Sequence, residues 1–214
     1  MKNRNWLFIG LAALSLLVVV GLFLSRGARP SGSGTPTPAP AAQLDPAVVI
    51  AGFSPADLDQ SFAGLERLLL TSSMHAETVT AAASQLQNPA TDVRFAAIYL
   101  LANLDSSQVT PALRDRQQPL RTLAAASLIR QGEPAAIPVL IEALSSKETL
   151  PYYDPPLPLW VLAQQVLPAH TDADFGLSAA GDAESVADAT EQWDAWWQAH
   201  SDTLQWEAGQ QRFF

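Results

Sequence analysis

Not one of the 214 residues is cysteine. Disulfide frameworks, thiolate metal sites, a thiol nucleophile and a lipid-modified N-terminal cysteine are therefore excluded, while either side of a membrane stays open. Aromatic residues are scarce, at 8%, and most tryptophans fall in the last third of the chain. The chain is 48% hydrophobic overall and rich in Ala and Leu, which suits close-packed helices better than strands. The 11 glycines are mostly single, so no glycine-rich loop is present to cradle a phosphate or dinucleotide. There is no G-x-S-x-G elbow and no S-x-x-K nucleophile either. Positive charge is also sparse beyond the N-terminal segment: from residue 31 onward there are 8 basic and 21 acidic residues, a net charge of −13. A surface that acidic repels phosphate backbones, so no nucleic-acid partner is expected.

Residues 1–30 are the opposite, with Lys2, Arg4, Arg26 and Arg29 and no acid. After a short tail at residues 1–5, Trp6 to Leu24 runs as WLFIGLAALSLLVVVGLFL without a charge. As a helix it would measure roughly 28 Å, close to the hydrocarbon thickness, so a transmembrane anchor over residues 6–24 is expected, with the lipid bilayer as a partner there. A cleaved signal peptide would have a shorter apolar core and a small-residue cleavage site, which SRGARP does not offer. The positive-inside argument places the remainder outside the cytoplasm, as a single-pass cell-membrane protein. Residues 25–43 include PSGSGTPTPAPAA, which has no large apolar side chain and reads as a disordered stalk.

Beyond the stalk, apolar residues recur at helical spacing, as in Val93, Ala96, Ala97, Leu100, Leu101 and Leu104. The pattern predicts helices over residues 55–71, 75–86, 90–104, 109–116, 119–131, 135–145, 157–167 and 185–200. Breakers such as Asn88-Pro89, Gly132-Glu133-Pro134 and Asp154-Pro155-Pro156 fall between them. A shift of 27 positions brings Val93-Arg94 onto Leu120-Arg121, Ala97 onto Ala124, Leu101 onto Leu128, and Thr110-Pro111 onto Ile137-Pro138. Glu66-Arg67 gives a weaker earlier echo, and a degenerate copy starts near Leu157. Such units cannot cover their own apolar faces, so they must stack and be capped.

Residues 92–115, DVRFAAIYLLANLDSSQVTPALRD, and 119–146, PLRTLAAASLIRQGEPAAIPVLIEALSS, each open a first helix with an apolar-Arg pair, and the second helix carries x-P-x-L. HTDADFGL, an acidic insert, EQWDAWWQAHSDTLQW and a final RFF come after them. This pattern resembles the HEAT-like repeat proteins, including bacterial ones with a Trp-rich closing segment. Where that family usually has Thr-Gly before its Phe-Gly step, this chain has Thr171-Asp172. The resemblance implies an all-α HEAT-like α-solenoid of three to four helical pairs, here preceded by one transmembrane helix and a Pro/Ser/Gly/Thr-rich linker. Repeats would occupy residues 44–184 and a cap residues 185–214. It implies a membrane-anchored, non-catalytic scaffold or adaptor for a protein partner, and it transfers no catalytic residue, cofactor or metal.

Arg94 and Arg121 stand one period apart and suit ion pairs with acids such as Asp92 or Asp115. Trp193, Trp196 and Trp197 lie at spacings of three and four, so they either grip a partner or seal the last repeat, with Trp206, Phe213 and Phe214 folded over it. Capping is the simpler role, because a stack needs a closed end. The histidines, His75, His170 and His200, lack the i, i+4 spacing of a metal pair. Asp172, Asp174 and Gly176 fail the calcium-loop register, which leaves only a cation or small-ligand sensor at residues 170–184 as an alternative. Asp182, Glu184, Asp188, Glu191 and Asp194 read as a solvated helical face. A lyase-type HEAT-like enzyme or accessory domain is a further alternative.

Overall fold

In the computed structural model, residues 44–176 and 183–214 are described. The chain divides into two units, residues 1–43 and 44–214, and the described elements belong to the second.

Capping chemistry starts the first elements. The Asp45 carboxylate accepts the Ala47 amide at 2.9 Å and Pro46 occupies the first turn, which opens α1 (Pro46–Ala51). Asp57 accepts the Gln60 amide at 3.1 Å at the head of α2 (Leu58–Leu70), and α3 (His75–Gln85) comes after a single 3-10 turn. In α4 (Thr91–Asn103) every residue from Val93 to Ala102 is buried, because its apolar side chains point in all directions and neighbours cover each of them. The next segment carries Pro111 and folds as a 3-10 helix, Ser107–Arg114, rather than a regular α-helix. Then come α5 (Gln118–Leu128), α6 (Ala136–Leu144), α7 (Leu159–His170) and α8 (Ala183–His200).

The helices α4, α5 and α7 lie side by side. Behind them, α3 packs on α4, the 3-10 helix sits between α4 and α5, and α6 sits between α5 and α7, with α8 against α6. Successive pairs result, the first being α2 and α3, and α8 closes the row against α6. The shared core runs through them from Ile50 and Leu65 to Leu167 and Trp193.

Two short ribbons interrupt the helical pattern. Strands β1 (Thr149–Leu150) and β2 (Leu157–Pro158) pair antiparallel, with Leu150 opposite Leu157. Strands β3 (Trp206–Glu207) and β4 (Arg212–Phe213) pair likewise, with Trp206 opposite Phe213.

The membrane part of the expected fold class needs correction. Among the described residues no helix is long and apolar enough to cross a membrane. The longest, α8, has 18 residues but exposes Asp188, Glu191 and Asp194 along its length, and such charges are costly in hydrocarbon. Among the described residues the structure therefore supports the HEAT-like stack and no transmembrane helix, and single-pass cell-membrane localisation with an extracytoplasmic domain is not supported. Residues 6–24 and 25–43, on which the anchor, bilayer contact and stalk rest, lie outside the described residues.

Candidate functional site

The repeat is built around two arginines. Each stands in the first turn of a front helix, Arg94 in α4 and Arg121 in α5, and each reaches back six residues and forward 21. The Arg94 guanidinium donates to the carbonyls of Asn88 and Pro89 at 3.0 and 3.3 Å, and forks onto the Asp115 carboxylate at 2.6 and 3.1 Å. Arg121 donates to the Asp115 carbonyl at 3.0 Å and to the Glu142 carboxylate at 2.7 Å. Asp115 is the shared rung, taking Arg94 on its side chain and Arg121 on its backbone. It also accepts the Gln117 amide at 2.8 Å, as Asn88 accepts the Ala90 amide at 2.9 Å one period earlier.

Burial separates the two pairs. Arg94 and Asp115 side chains are each 3% exposed, whereas Arg121 and Glu142 are 21% and 53% exposed. The Asp115 partner is legible in the sequence and Glu142 is not, while Asp92 accepts the Tyr152 hydroxyl in place of an arginine.

Beside Arg94 the connection into α4 leaves a cleft of about 180 Å³ against the 3-10 helix. Leu86, Pro111 and Ala112 form its apolar wall, while Asn88, Arg114 and Arg116 supply polar groups. Arg116 donates to the Pro89 carbonyl across it. Sequence reasoning misses this cleft because its walls come from two stretches of chain, neither carrying a motif.

At the other end of the stack, Trp193 and Trp196 are buried, 3% and 8% exposed, and Trp197 is half-buried against the core. Trp193 meets Phe175 edge-on with centroids 4.9 Å apart and Trp196 at 5.6 Å. Trp206 sits apart from them, over Gly132 and 4.8 Å from Phe213. Phe213 is buried and Phe214 is exposed. The four tryptophans thus divide into three on α8 and one on the terminal ribbon.

That ribbon is tied to the end of α7. His170 donates through Nδ1 to the Gln211 carbonyl at 2.7 Å, and Arg212 donates to the Thr171 carbonyl at 2.5 Å. Thr171 is fully buried and donates to the Leu167 carbonyl at 2.8 Å, so its side chain finishes α7. Asp174 accepts the Gly176 amide at 3.0 Å. The rest of the 170–184 turn, from residue 177 to 182, lies outside the described residues. Among the described residues no group of three or more His, Asp or Glu side chains could hold a metal ion.

Protonation follows burial. Tyr99 is pushed up to about 12, chiefly by burial, and Tyr153 is raised for the same reason. Tyr152 is raised first by burial and then by its bond to Asp92. His170 is lowered from 6.5, mainly by burial, with Arg130 adding to the effect and the Gln211 carbonyl opposing it.

Comparison with known proteins agrees with this geometry. Residues 120–146 match the family model described as the PBS lyase HEAT-like repeat, which covers the length from α5 through α6. No curated protein and no solved structure matches the chain.

Proposed function

We propose, from the premise that this is a HEAT-like repeat protein, that the chain is a non-catalytic scaffold that binds a protein partner along an edge of its stack. What carries the reading is the use made of the repeated polar residues. Arg94 and Arg121 direct their guanidinium groups at the far end of their own repeat and at the carbonyls that close the preceding one rather than outward, which stiffens the stack while leaving the exposed positions between them free to vary. The shifted tyrosines lend support, since each is held further from ionising near neutral pH, which suits packing rather than proton transfer.

The face over α4 is already occupied by the protein itself. Phe53, Phe62 and Tyr152 cover it, with Phe95 and Tyr152 ring centroids 4.7 Å apart. A partner is therefore expected at the edge formed by residues 86–90 and 111–118. Photo-crosslinking of the full chain in its native cells tests this, with the photoreactive side chain placed at Pro111 or Gln117. One discrete adduct from these positions, absent when the probe is at Val48, is the expected result. A chain that gives no adduct from any exposed position and runs alone in size-exclusion of native extracts overturns it.

A further inference from the structure

Basic side chains are few in the unit beginning at Leu44, and they are unevenly placed. Of the eight, Arg94, Arg114, Arg116 and Arg121 gather at one edge, three of them within eight residues of chain. Arg94 and Arg121 are satisfied by Asp115 and Glu142, and Arg130 lies 3.6 Å from Asp105. Arg114 and Arg116 differ. Both are exposed, both line the cleft beside Arg94, and among the described residues neither has a carboxylate within salt-bridge distance. Two unneutralised guanidinium groups thus converge on a concave site in an otherwise acidic unit.

We propose that this cleft docks an acidic segment of a protein partner, with Arg114 and Arg116 forking onto its carboxylates and Leu86, Pro111 and Ala112 packing against the stems of those side chains. The proposal rests on the scaffold reading and names the chemistry of its edge. The guanidinium fork matches a planar carboxylate in two parallel hydrogen bonds. The Arg116 bond to the Pro89 carbonyl holds one fork in place beforehand, which lowers the ordering cost of binding. Asp115 also lines the cleft, but Arg94 already neutralises it, so the free charge of the site is that of Arg114 and Arg116. The surrounding acids matter little to one or two side chains inserted here, because exposed charges beyond about 8 to 10 Å are screened at physiological salt. A nucleic-acid duplex, by contrast, would lie across them.

The test uses the full-length chain and fluorescein-labelled hexaglutamate, monitored by fluorescence anisotropy. Saturable binding is expected, weakened by about tenfold or more in Arg114→Gln/Arg116→Gln, since charge-assisted forks are the strong contacts. The variant Arg67→Gln/Lys147→Gln removes the same charge elsewhere and should bind as the parent does. Arg114→Gln alone guards against misfolding, because that side chain is exposed and makes no hydrogen bond among the described residues, so its loss should weaken binding while the melting temperature stays put. Equal weakening in both double variants, or no saturable binding, overturns the proposal. So does displacement of the peptide by inorganic phosphate at concentrations where acetate leaves it bound. The two readings fail separately: a photo-adduct formed equally by the parent and by Arg114→Gln/Arg116→Gln keeps the scaffold and rejects the cleft, whereas peptide binding without any cellular adduct rejects the scaffold.

Discussion

Arg94 and Arg121 occupy the same place in successive repeats, yet they will not matter equally to stability. Removing one partner of a buried ion pair strands the other charge, at about 3 to 5 kcal/mol, while an exposed pair contributes about 0 to 1 kcal/mol. Arg94→Ala and Asp115→Asn should therefore destabilise strongly in urea unfolding, and Arg121→Ala and Glu142→Gln only slightly, given their exposures of 21% and 53%. Equal losses along the ladder would mean that the backbone bonds of the two arginines, to Asn88 and Asp115, dominate over the carboxylates. Gly132 is decided by two separate constraints. Its φ of +80° is unfavourable for any residue with a Cβ, and a Cβ placed there would stand 2.5 Å from the Trp206 ring. Gly132→Ala should cost about 2 to 4 kcal/mol, combining left-handed strain with overpacking, and should red-shift the emission of Trp206 as the ribbon lifts.

At the scale of elements, the ribbon β3–β4 is held to α7 by contacts that titrate. Burial disfavours imidazolium, so the folded pKa of His170 lies below 6.5. An unfolded chain then binds the proton more readily, and the sign follows: this contribution to stability is complete above pH 6.5 and is lost as pH falls through the lower, folded pKa. The melting temperature should drop between about pH 7.5 and pH 5, and His170→Asn should flatten that part of the profile. A parent profile that is level, or a variant that falls as steeply, would place the acid sensitivity elsewhere. The elements themselves are unequally legible in the sequence. Helices bounded by Asn88-Pro89 and Gly132-Glu133-Pro134 can be read because breakers and periodicity agree locally. The paired strands cannot, since two residues carry no alternation to detect. The helix Pro46–Ala51 escapes for a similar reason, being under two turns long. The Arg94–Asp115 pair is visible through the 27-residue period; the seat of Trp206 on Gly132 is not, because nothing local links positions so far apart in the chain.

For the whole molecule, a stack of repeats should unfold piecemeal from its ends unless something links distant units. Tyr152 provides such a link. It lies beyond α6 in the chain, yet its ring stands 5.4 Å from Phe53 and 4.7 Å from Phe95, and its hydroxyl donates to Asp92, 60 residues earlier. Its φ of +66° is an uncommon conformation for a bulky residue and persists only where surrounding contacts hold it, which is the role the aromatic cluster plays. The segment after the third pair is thus strapped to α4 of the second pair and to the turn that precedes the first. Five of the six tryptophans, at positions 160 to 206, report on the C-terminal half, whereas far-UV circular dichroism reports on every helix. In the parent protein the two signals should trace one unfolding transition. Tyr152→Ala removes a partly buried ring worth about 1.5 to 3 kcal/mol, and with the strap gone the N-terminal pairs should melt first. Circular dichroism would then begin to fall at lower urea than tryptophan fluorescence, with a shallower overall slope. Tyr152→Phe keeps the ring contacts and gives up only the bond to Asp92, so it should lose less stability and leave the transitions coincident. If both variants unfold in one step with unchanged slope, cooperativity resides in the α4–α5 interface and the Arg94–Asp115 pair, and the strap adds stability without coupling the ends.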